Sequence, residues 1–275
     1  MAIKLITIDL DGTLLNDEKQ ISERNRRAIM AAEDQGVMIV ISSGRCSPPV
    51  WGFSRMAGIR HSPVISNNGP RVQAPDGSTI AEDCLEPEAA REVMRRWDTI
   101  GLFYILYNND VMYYSYRPDD YQRYIDDDAR VGVTMEHIFD GDGRFEIGAE
   151  HVHKIVCFDS DPERIAKARE LLADMDDVLE VNSSWWNNVE IMRKGIDKGW
   201  AVDRLREHYG LERDEVMAFG DADNDREMLL HAGWPVAMQN GTESMKSIAR
   251  IIAPDCNDSG VGRVIEEYVL SGRIK

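Results

Sequence analysis

The chain has 275 residues, of which 43% are hydrophobic and 29% charged, a balance typical of a folded protein and not of a disordered one. Its formal net charge of −17 disfavours binding to nucleic acid or to an anionic membrane, because both are bound through clustered lysine and arginine. Apolar stretches such as Val37–Ile41 are too short to span a bilayer.

The N-terminal residues reach Asp9 before a signal-peptide core could form, so we expect a cytoplasmic protein. The cysteines are scattered without a CxxC pair, a pattern that fits neither a zinc knuckle nor a disulfide scaffold. We therefore expect reduced thiols that pack as small apolar groups. The four cysteines are Cys46, Cys84, Cys157 and Cys256.

The first and last parts of the chain alternate apolar strands with helices. Ser22 is a candidate N-cap for the first helix and Gly36 a candidate end. Such alternation predicts a mostly parallel sheet, in which polar residues at the carboxyl ends of the strands share one crevice. The predicted elements are the helix Ser22–Gln35 and the strands Lys4–Leu10, Val37–Ile41, Val64–Ser66 and Glu215–Phe219. The residues expected along that crevice are Asp9, Ser43, Asn68 and Asp221.

The middle of the chain has a different pattern, typical of an α+β insert of about a hundred residues. Phe103–Tyr107 and Met112–Tyr116 flank the turn-like Asn108–Asp110, which predicts a hairpin. Further predicted helices are Pro87–Trp97, Pro118–Arg130 and Pro162–Met175. Further predicted strands are Lys154–Phe158, Val178–Asn182 and Val189–Met192.

The segment Asp9–Leu15 places two carboxylates, Asp9 and Asp11, two residues apart at the end of an apolar strand. As the chain turns at Gly12, both could project into one site. Taken alone, the same residues could form an Asx-type turn or a helix cap. Both alternatives stay open from this segment by itself.

The segment Gly220–Asp225 is rich in acidic and amide side chains and precedes a predicted helix, Arg226–His231. Its oxygen atoms would suit Mg²⁺ rather than zinc. A helix N-terminus also attracts aspartate because the macrodipole favours negative charge there. For this segment alone, the metal site and the helix end explain the pattern equally well.

Two further segments could bind phosphate. Lys198 lies in Gly195–Gly199, before a predicted helix Trp200–Tyr209, although a solvated lysine is the commoner explanation for a single lysine. Ser43–Arg45 offers a hydroxyl and backbone N–H groups at a strand end. Neither segment is specific by itself.

Together and in this order, these segments resemble the haloacid dehalogenase-like phosphatases, most closely the Cof-type branch with an inserted class IIB cap. The matching segments are Asp9–Leu14, Ser43–Arg45, Lys198-Gly199, Gly220–Asp225, Asn68-Gly69 and Val236–Asn240. The resemblance runs from about residue 3 to 269. It implies an α/β fold, with a Rossmann-like parallel-sheet core domain at 1–82 and 194–275 and an α+β cap domain for substrate specificity at 83–193.

The resemblance also implies a chemistry: Mg²⁺-dependent hydrolysis of a small phosphorylated metabolite, such as a sugar phosphate, through a phosphorylated aspartate. Asp9 would be the nucleophile and a metal ligand. Asp11 would be the general acid and base, with its main-chain carbonyl on the metal. Asp221 would be the third protein ligand of Mg²⁺.

Residues in three other matching segments would hold the phosphate or support the metal. Ser43, Gly44, Lys198 and Asn224 would bind phosphate. Asn224 and Asp225 would also contact the metal ligands and stabilise them, without binding the metal directly. The cap would exclude water and choose the leaving group.

Two alternatives remain at this stage: a phosphotransferase or phosphomutase on the same scaffold, and a non-catalytic regulator that binds phosphorylated metabolites. In each case the partner is a small-molecule phosphate ester, with no nucleic acid and no membrane, and the chain is a monomer or homodimer.

One pair of histidines and one pair of tryptophans lie outside these motifs. His151 and His153 alternate on a predicted strand and could bind a metal, but the sequence offers no third ligand nearby. Trp185-Trp186 is predicted to pack or to stiffen the return from cap to core, with substrate stacking as the alternative.

Overall fold

A computed structural model of the chain describes residues 2–116, 129, 131–133, 135–140 and 148–274. The helices are α1 Glu23–Asp34, α2 Ser47–Met56, α3 Pro87–Asp98, α4 Pro162–Glu170, α5 Lys198–Tyr209, α6 Arg226–His231, α7 Glu243–Ile248 and α8 Gly260–Val264. The strands from β1 to β5 are Leu5–Asp9, Met38–Ser42, Val64–Ser66, Arg71–Gln73 and Thr79–Glu82. Those from β6 to β9 are Tyr104–Asn108, Val111–Tyr114, Glu136–Phe139 and Lys154–Phe158. Those from β10 to β14 are Leu179–Asn182, Asn188–Arg193, Val216–Gly220, Trp234–Met238 and Ile251–Ala253.

The chain forms two compact units. The first contains the residues up to Arg45, Val50–Ala81 and the residues from Asp197 onward. The second contains Cys46–Pro49 and Glu82–Ile196. Among the described residues, no helix has the length and apolar character needed to cross a membrane.

The first unit is built on an eight-stranded sheet in the order β14-β13-β12-β1-β2-β3-β4-β5. Pairing is parallel from β14 to β3 and becomes antiparallel between β3 and β4. In this register Asp9 lies beside Ser42, and Ile8 lies beside Phe219. The carboxyl ends of β1, β2 and β12 are therefore level, and residues that follow them share one edge.

Local sequence explains the elements that frame this edge. Every residue of β1 is buried, as expected for a parallel strand covered on both faces. The Ser22 hydroxyl accepts a hydrogen bond from the Asn25 backbone N–H and caps α1. Gly36, just beyond the helix, takes a φ of 86°, which glycine adopts without steric cost.

The second unit contains a six-stranded sheet in the order β10-β11-β9-β6-β7-β8, antiparallel except for β7 with β8. The predicted hairpin is β6–β7, and Asn109 in its turn has a φ of 52°. One face of this sheet packs on α3 and α4 through an apolar core that includes Trp97, Tyr104 and Ile155.

The predicted α/β fold with a parallel core sheet is confirmed. The single helix predicted at Pro162–Met175 is wrong: α4 ends at Glu170, and a separate 3₁₀ turn covers Ala173–Met175. The predicted helix Pro118–Arg130 lies, except for residue 129, outside the described residues. The domain boundaries drawn from sequence stay a proposal.

The prediction that Trp185 and Trp186 pack into the protein is wrong. They lie in the turn between β10 and β11, and their exposed fractions are 65% and 60%. A turn between two antiparallel strands leaves the side chains at its tip in solvent. The sequence pattern does not reveal which residues occupy that tip.

Candidate active site

Lys198 links two of the predicted aspartates. It is the first residue of α5 and is fully buried, and its Nζ lies 2.6 Å from Asp9 Oδ1 and 2.6 Å from Asp225 Oδ1. A buried ammonium is costly unless it is paired, and here two carboxylates pair with it. They also raise the pKa of Lys198, against the opposing effect of burial, so the lysine is charged.

Asp225 is held in place from two sides. Its Oδ1 faces Lys198, and its Oδ2 accepts hydrogen bonds from the backbone N–H groups of Asp221 and Ala222, at 3.0 and 3.2 Å. Gly220 permits this closure, because a Cβ there would lie 2.5 Å from the Cβ of Asp225. The loop after β12 is therefore folded around Asp225.

Asp221 faces the turn that follows β1. The Thr13 hydroxyl donates a hydrogen bond of 2.7 Å to Asp221 Oδ1. Gly12 has a φ of 90°, and a Cβ on it would come within 2.4 Å of Asp221 Oδ2. Only glycine at this position leaves room for the Asp221 carboxylate.

These contacts concentrate negative charge in a buried space. Oxygen atoms of Asp9, Asp221 and Asp225 all lie within 4.8 Å of one another. Burial, together with the charge of Asp225, raises the pKa of Asp9 well above its usual value. The same two causes raise the pKa of Asp221 to about 7. Lys198 alone does not neutralise the three carboxylates.

The donor set fits a hard divalent cation. All the clustered groups are carboxylates, the ligand type that Mg²⁺ prefers. A cation there would offset the charge that raises the pKa values of Asp9 and Asp221. Next to the cluster, the buried Asn224 Oδ1 accepts no hydrogen bond from the described residues, so it can accept one from a group bound in the site.

Asp11 lies in a different environment from Asp9. Arg45 binds its carboxylate with both Nε and Nη2, each at 3.1 Å, and Lys19 Nζ lies 2.8 Å from Oδ1. Burial by itself would raise its pKa, but Arg45 and then Lys19 outweigh burial and lower the pKa to about 2. The Asp11 carboxylate is therefore ionised and is not among the clustered oxygens. The expected contact of its main-chain carbonyl with a metal stays a prediction.

The predicted phosphate-binding residues line the neighbouring strand ends. Ser43 is buried directly after β2, and its Oγ accepts a hydrogen bond of 3.2 Å from the Arg45 backbone N–H. Gly44 lies close to Asn68, since a Cβ on Gly44 would be 2.9 Å from Asn68 Oδ1. That oxygen accepts a hydrogen bond of 3.3 Å from Asn224 Nδ2. The loops after β2, β3 and β12 thus meet at one place.

The loop after β3 also presses against the start of α5. Gly69 has a φ of 124°, and a Cβ there would lie 2.1 Å from the Asp197 carbonyl oxygen. Asp197 caps α5 by accepting a hydrogen bond of 2.8 Å from the Trp200 backbone N–H. The position of Lys198, the next residue, depends on this close approach.

Sequence reasoning missed several residues that shape the site. Arg45 was expected only as part of a motif, and Lys19 and Thr13 were not singled out. Arg45 and Thr13 contact residues 34 and 208 positions away, whereas Lys19 lies eight residues after Asp11. Only the match to a motif could have pointed to Arg45. Asn240 lies in a segment noted for its resemblance, and its Nδ2 donates a hydrogen bond of 2.7 Å to the Gly12 carbonyl.

Comparison with known proteins places the chain among phosphatases. Residues 6–265 match the haloacid dehalogenase-like hydrolase family. A 5-amino-6-(5-phospho-D-ribitylamino)uracil phosphatase from Bacillus subtilis is 29% identical, over 96% of this chain and 97% of its own. An HMP-PP phosphatase from Klebsiella pneumoniae is also 29% identical, over 97% of this chain and 96% of its own.

A solved structure supports the fold. A HAD/COF-like hydrolase from Plasmodium vivax superimposes with a TM-score of 0.84 at 22% identity, covering 99% of this chain and 96% of the other. The family match spans nearly the whole chain, and it includes Asp9, Asp221 and Asp225 of the carboxylate cluster together with Lys198, which pairs with two of them. The chain therefore belongs to the haloacid dehalogenase-like hydrolase family, and it is a phosphatase, an enzyme that hydrolyses phosphoric monoesters.

Proposed function

We propose that the protein hydrolyses a small soluble phosphate ester, with sugar phosphates as the leading class, in a Mg²⁺-dependent reaction through phosphorylated Asp9. The observation that carries this proposal is the position of Lys198, whose Nζ lies 2.6 Å from both Asp9 and Asp225. Asp221 completes the cluster with its oxygen within 4.8 Å of the other two carboxylates.

Asp9 is the proposed nucleophile because it is fixed and partly neutralised. Two unit charges 4 Å apart interact by about 4 kcal/mol at an effective dielectric of 20, so a carboxylate and a phosphate dianion repel by roughly twice that. Lys198 reduces this repulsion because its ammonium group offsets the negative charge of Asp9. An aspartyl-phosphate then divides a very slow hydrolysis into two easier steps.

The proposed Mg²⁺ ligands are the carboxylates of Asp9 and Asp221 and the main-chain carbonyl of Asp11. When bound, the ion would neutralise phosphate charge and polarise the phosphoryl group. Asp225 holds Lys198 and the loop that carries Asp221. Asn224 has a buried oxygen available for a bound group.

Asp11 is the proposed general acid and base. In the first step Asp9 Oδ forms a bond to phosphorus, the ester P–O bond breaks, and Asp11 gives its proton to the departing alkoxide. In the second step a water attacks phosphorus, Asp11 takes its proton, and phosphate leaves Asp9. The ionised Asp11 is ready for the second step.

Asp11 needs a proton before the first step. The phosphate of an incoming substrate would compete for Arg45 and Lys19, the two cations that lower the pKa of Asp11. Once they turn toward the phosphate, the pKa of Asp11 would rise and the acid form would become accessible. Ser43, the Gly44 backbone N–H and Lys198 would bind the remaining phosphate oxygens.

The charge of the chain and the names of its relatives support the proposed substrate class. The Bacillus subtilis relative is named for a phosphorylated ribityl compound, a small polyhydroxy phosphate ester. A net charge of −17 is unsuited to nucleic acid or anionic membranes. Residues 83–193 would be the domain that selects the leaving group. A cytoplasmic monomer or homodimer remains our prediction.

A phosphate-release assay tests the proposal. The purified chain should cleave p-nitrophenyl phosphate and members of a panel of phosphorylated sugars with Mg²⁺, and it should lose this activity in excess EDTA. Adding Mg²⁺ back should restore the activity. Equal rates with Mg²⁺ and with EDTA would refute the metal assignment. Loss of ester without release of inorganic phosphate would favour phosphotransfer.

A further inference from the structure

A second group of metal-ligating side chains lies in the second unit. Cys84 Sγ is 3.4 Å from His151 Nε2, and Glu82 Oε2 is 3.6 Å from the same nitrogen. His153 Nε2 is 2.9 Å from the other oxygen of Glu82. Cys84, His151 and His153 each bring a ligand atom within 4.8 Å of the others.

The fold brings these residues together by an antiparallel bridge. Leu85 pairs with Val152, and the Leu85 backbone N–H donates a hydrogen bond of 2.8 Å to the Val152 carbonyl. In extended chain, residues two apart point to the same side. Glu82 and Cys84 on one segment therefore face the two histidines on the other.

Cys84 and Glu82 do not form a chain through the two nitrogens of His151. In a Cys-His-Glu proton relay, the thiol and the carboxylate contact opposite nitrogens of the imidazole. Here Cys84 and Glu82 both approach Nε2 of His151. One imidazole nitrogen therefore has both a sulfur and a carboxylate oxygen as neighbours, an arrangement suited to a shared cation.

The spacing fits tetrahedral zinc. With Zn–S of about 2.3 Å and Zn–N or Zn–O of about 2.0–2.1 Å, the sulfur-to-nitrogen edge of a tetrahedron is about 3.5 Å and the oxygen-to-nitrogen edge about 3.4 Å. The observed separations, 3.4 Å from Cys84 to His151 and 3.6 Å from Glu82 to His151, are close to both edges.

His153 orients Glu82 and is not itself a ligand. The Asn109 backbone N–H donates to His153 Nδ1 at 3.2 Å, so that nitrogen carries no proton. The proton of the neutral ring is then on Nε2, which donates it to Glu82 Oε1. Hydrogen bonds of this kind commonly fix the orientation of metal-bound carboxylates.

We propose that Cys84, His151 and Glu82 bind Zn²⁺, or another divalent ion of similar softness, with His153 as a positioning residue. Binding forms one bond each to sulfur, nitrogen and oxygen and releases the Cys84 thiol proton to solvent. The thiolate and the carboxylate together balance the charge of the ion. The His151 side chain is 42% exposed, which gives an ion access to the group.

This site differs in chemistry from the carboxylate cluster of the first unit. A thiolate and an imidazole select zinc-like ions, whereas three carboxylates suit Mg²⁺. The ion would fasten the segment at Glu82–Leu85, where the second unit resumes, onto the segment before β9. The proposal does not depend on the phosphatase mechanism.

Cobalt titration tests the proposal on the full chain after removal of metal under reducing conditions. One equivalent of CoCl₂ should produce a thiolate-to-cobalt charge-transfer band, and ZnCl₂ should abolish it. Cys84→Ser should lose the band, and His153→Gln should bind Co²⁺ roughly 10–100-fold more weakly. His61→Gln, which changes an exposed histidine of the first unit, should behave as wild type. No band in the wild type, or a band that survives in Cys84→Ser, would overturn the proposal.

A second measurement needs no variant. Of the four cysteines, Cys84 is the one that is not buried. Iodoacetamide should label it in the metal-free protein, and ZnCl₂ should slow that labelling at least tenfold, as read by peptide mass spectrometry. MgCl₂ should give no such protection. Equal labelling of Cys84 with and without ZnCl₂ would contradict the proposal.

Discussion

Asp9 and Asp11 lie two residues apart on the same strand end, yet their surroundings shift their pKa values in opposite directions. Asp9 points into a buried space with two other carboxylates, and burial first of all raises its pKa. Asp11 points toward Arg45 and Lys19, which lower its pKa to about 2. Environment, more than position in the motif, therefore sets the protonation of these two identical side chains.

The largest expected effect concerns the buried member of the pair. Asp9→Asn should reduce kcat at least about a thousandfold, because an amide cannot form the phosphorylated intermediate. Asp11→Asn should reduce it less for p-nitrophenyl phosphate, which has a good leaving group, than for alkyl phosphates. Steady-state kinetics with both substrates measures the contrast.

Asp223→Asn is the matched control, since Asp223 is an exposed acid in the segment after β12 and should keep near-wild-type activity. Similar losses in Asp9→Asn and Asp11→Asn, independent of leaving group, would remove the distinction between the two roles.

The next effect, on stability and not on turnover, concerns Lys198, the buried cation that pairs with Asp9 and Asp225. Lys198→Met should lower the free energy of unfolding by about 3–5 kcal/mol without added metal, because Asp9 and Asp225 lose their buried partner. Urea denaturation measures the change. The control Lys194→Met, at a half-exposed surface pair with Glu180, should cost under about 1 kcal/mol. Equal stabilities for the two variants would show that the buried pairing is not needed.

The smallest effect concerns Arg45, which pairs with Asp11. Arg45→Gln should raise the pKa of Asp11 from about 2 toward its ordinary value of 3.8. Because the folded-state pKa is depressed, the ion pair stabilises the protein above about pH 4, and this contribution is lost as the pH falls through 2. An NMR titration of the Asp11 carboxyl carbon measures the shift. An unchanged pKa in the variant would assign the depression to Lys19 instead.

Four of the eight strands of the core sheet, β1, β2, β3 and β12, could be read from the sequence because each depends on a local apolar pattern. Val64–Ser66 is a strand with the predicted bounds, and the Ser22 cap lies where its residue type indicates. The short strands Arg71–Gln73 and Thr79–Glu82 were not predicted, since runs of three or four residues carry little periodicity.

Pairings between distant segments could not be read in the same way. Asp9, Lys198 and Asp225 could be proposed as neighbours because parallel strand ends share an edge and the motifs recur in a known order. No motif and no shared strand end predicted that Cys84 would lie next to His151. Their proximity depends on a single β-bridge between two extended segments. One bridge produces no periodic pattern in the sequence of either segment.

The tight approach of Gly69 to Asp197 restricts how the protein can be redesigned. Any larger residue at 69 would push the Asp197 carbonyl, which directly precedes Lys198, so a library aimed at substrate preference should lose turnover there for reasons unrelated to substrate. Its neighbour Asn68 carries no such restraint on side-chain size from this contact. Variation that is meant to alter selectivity is better placed in the inserted residues, leaving this backbone junction untouched.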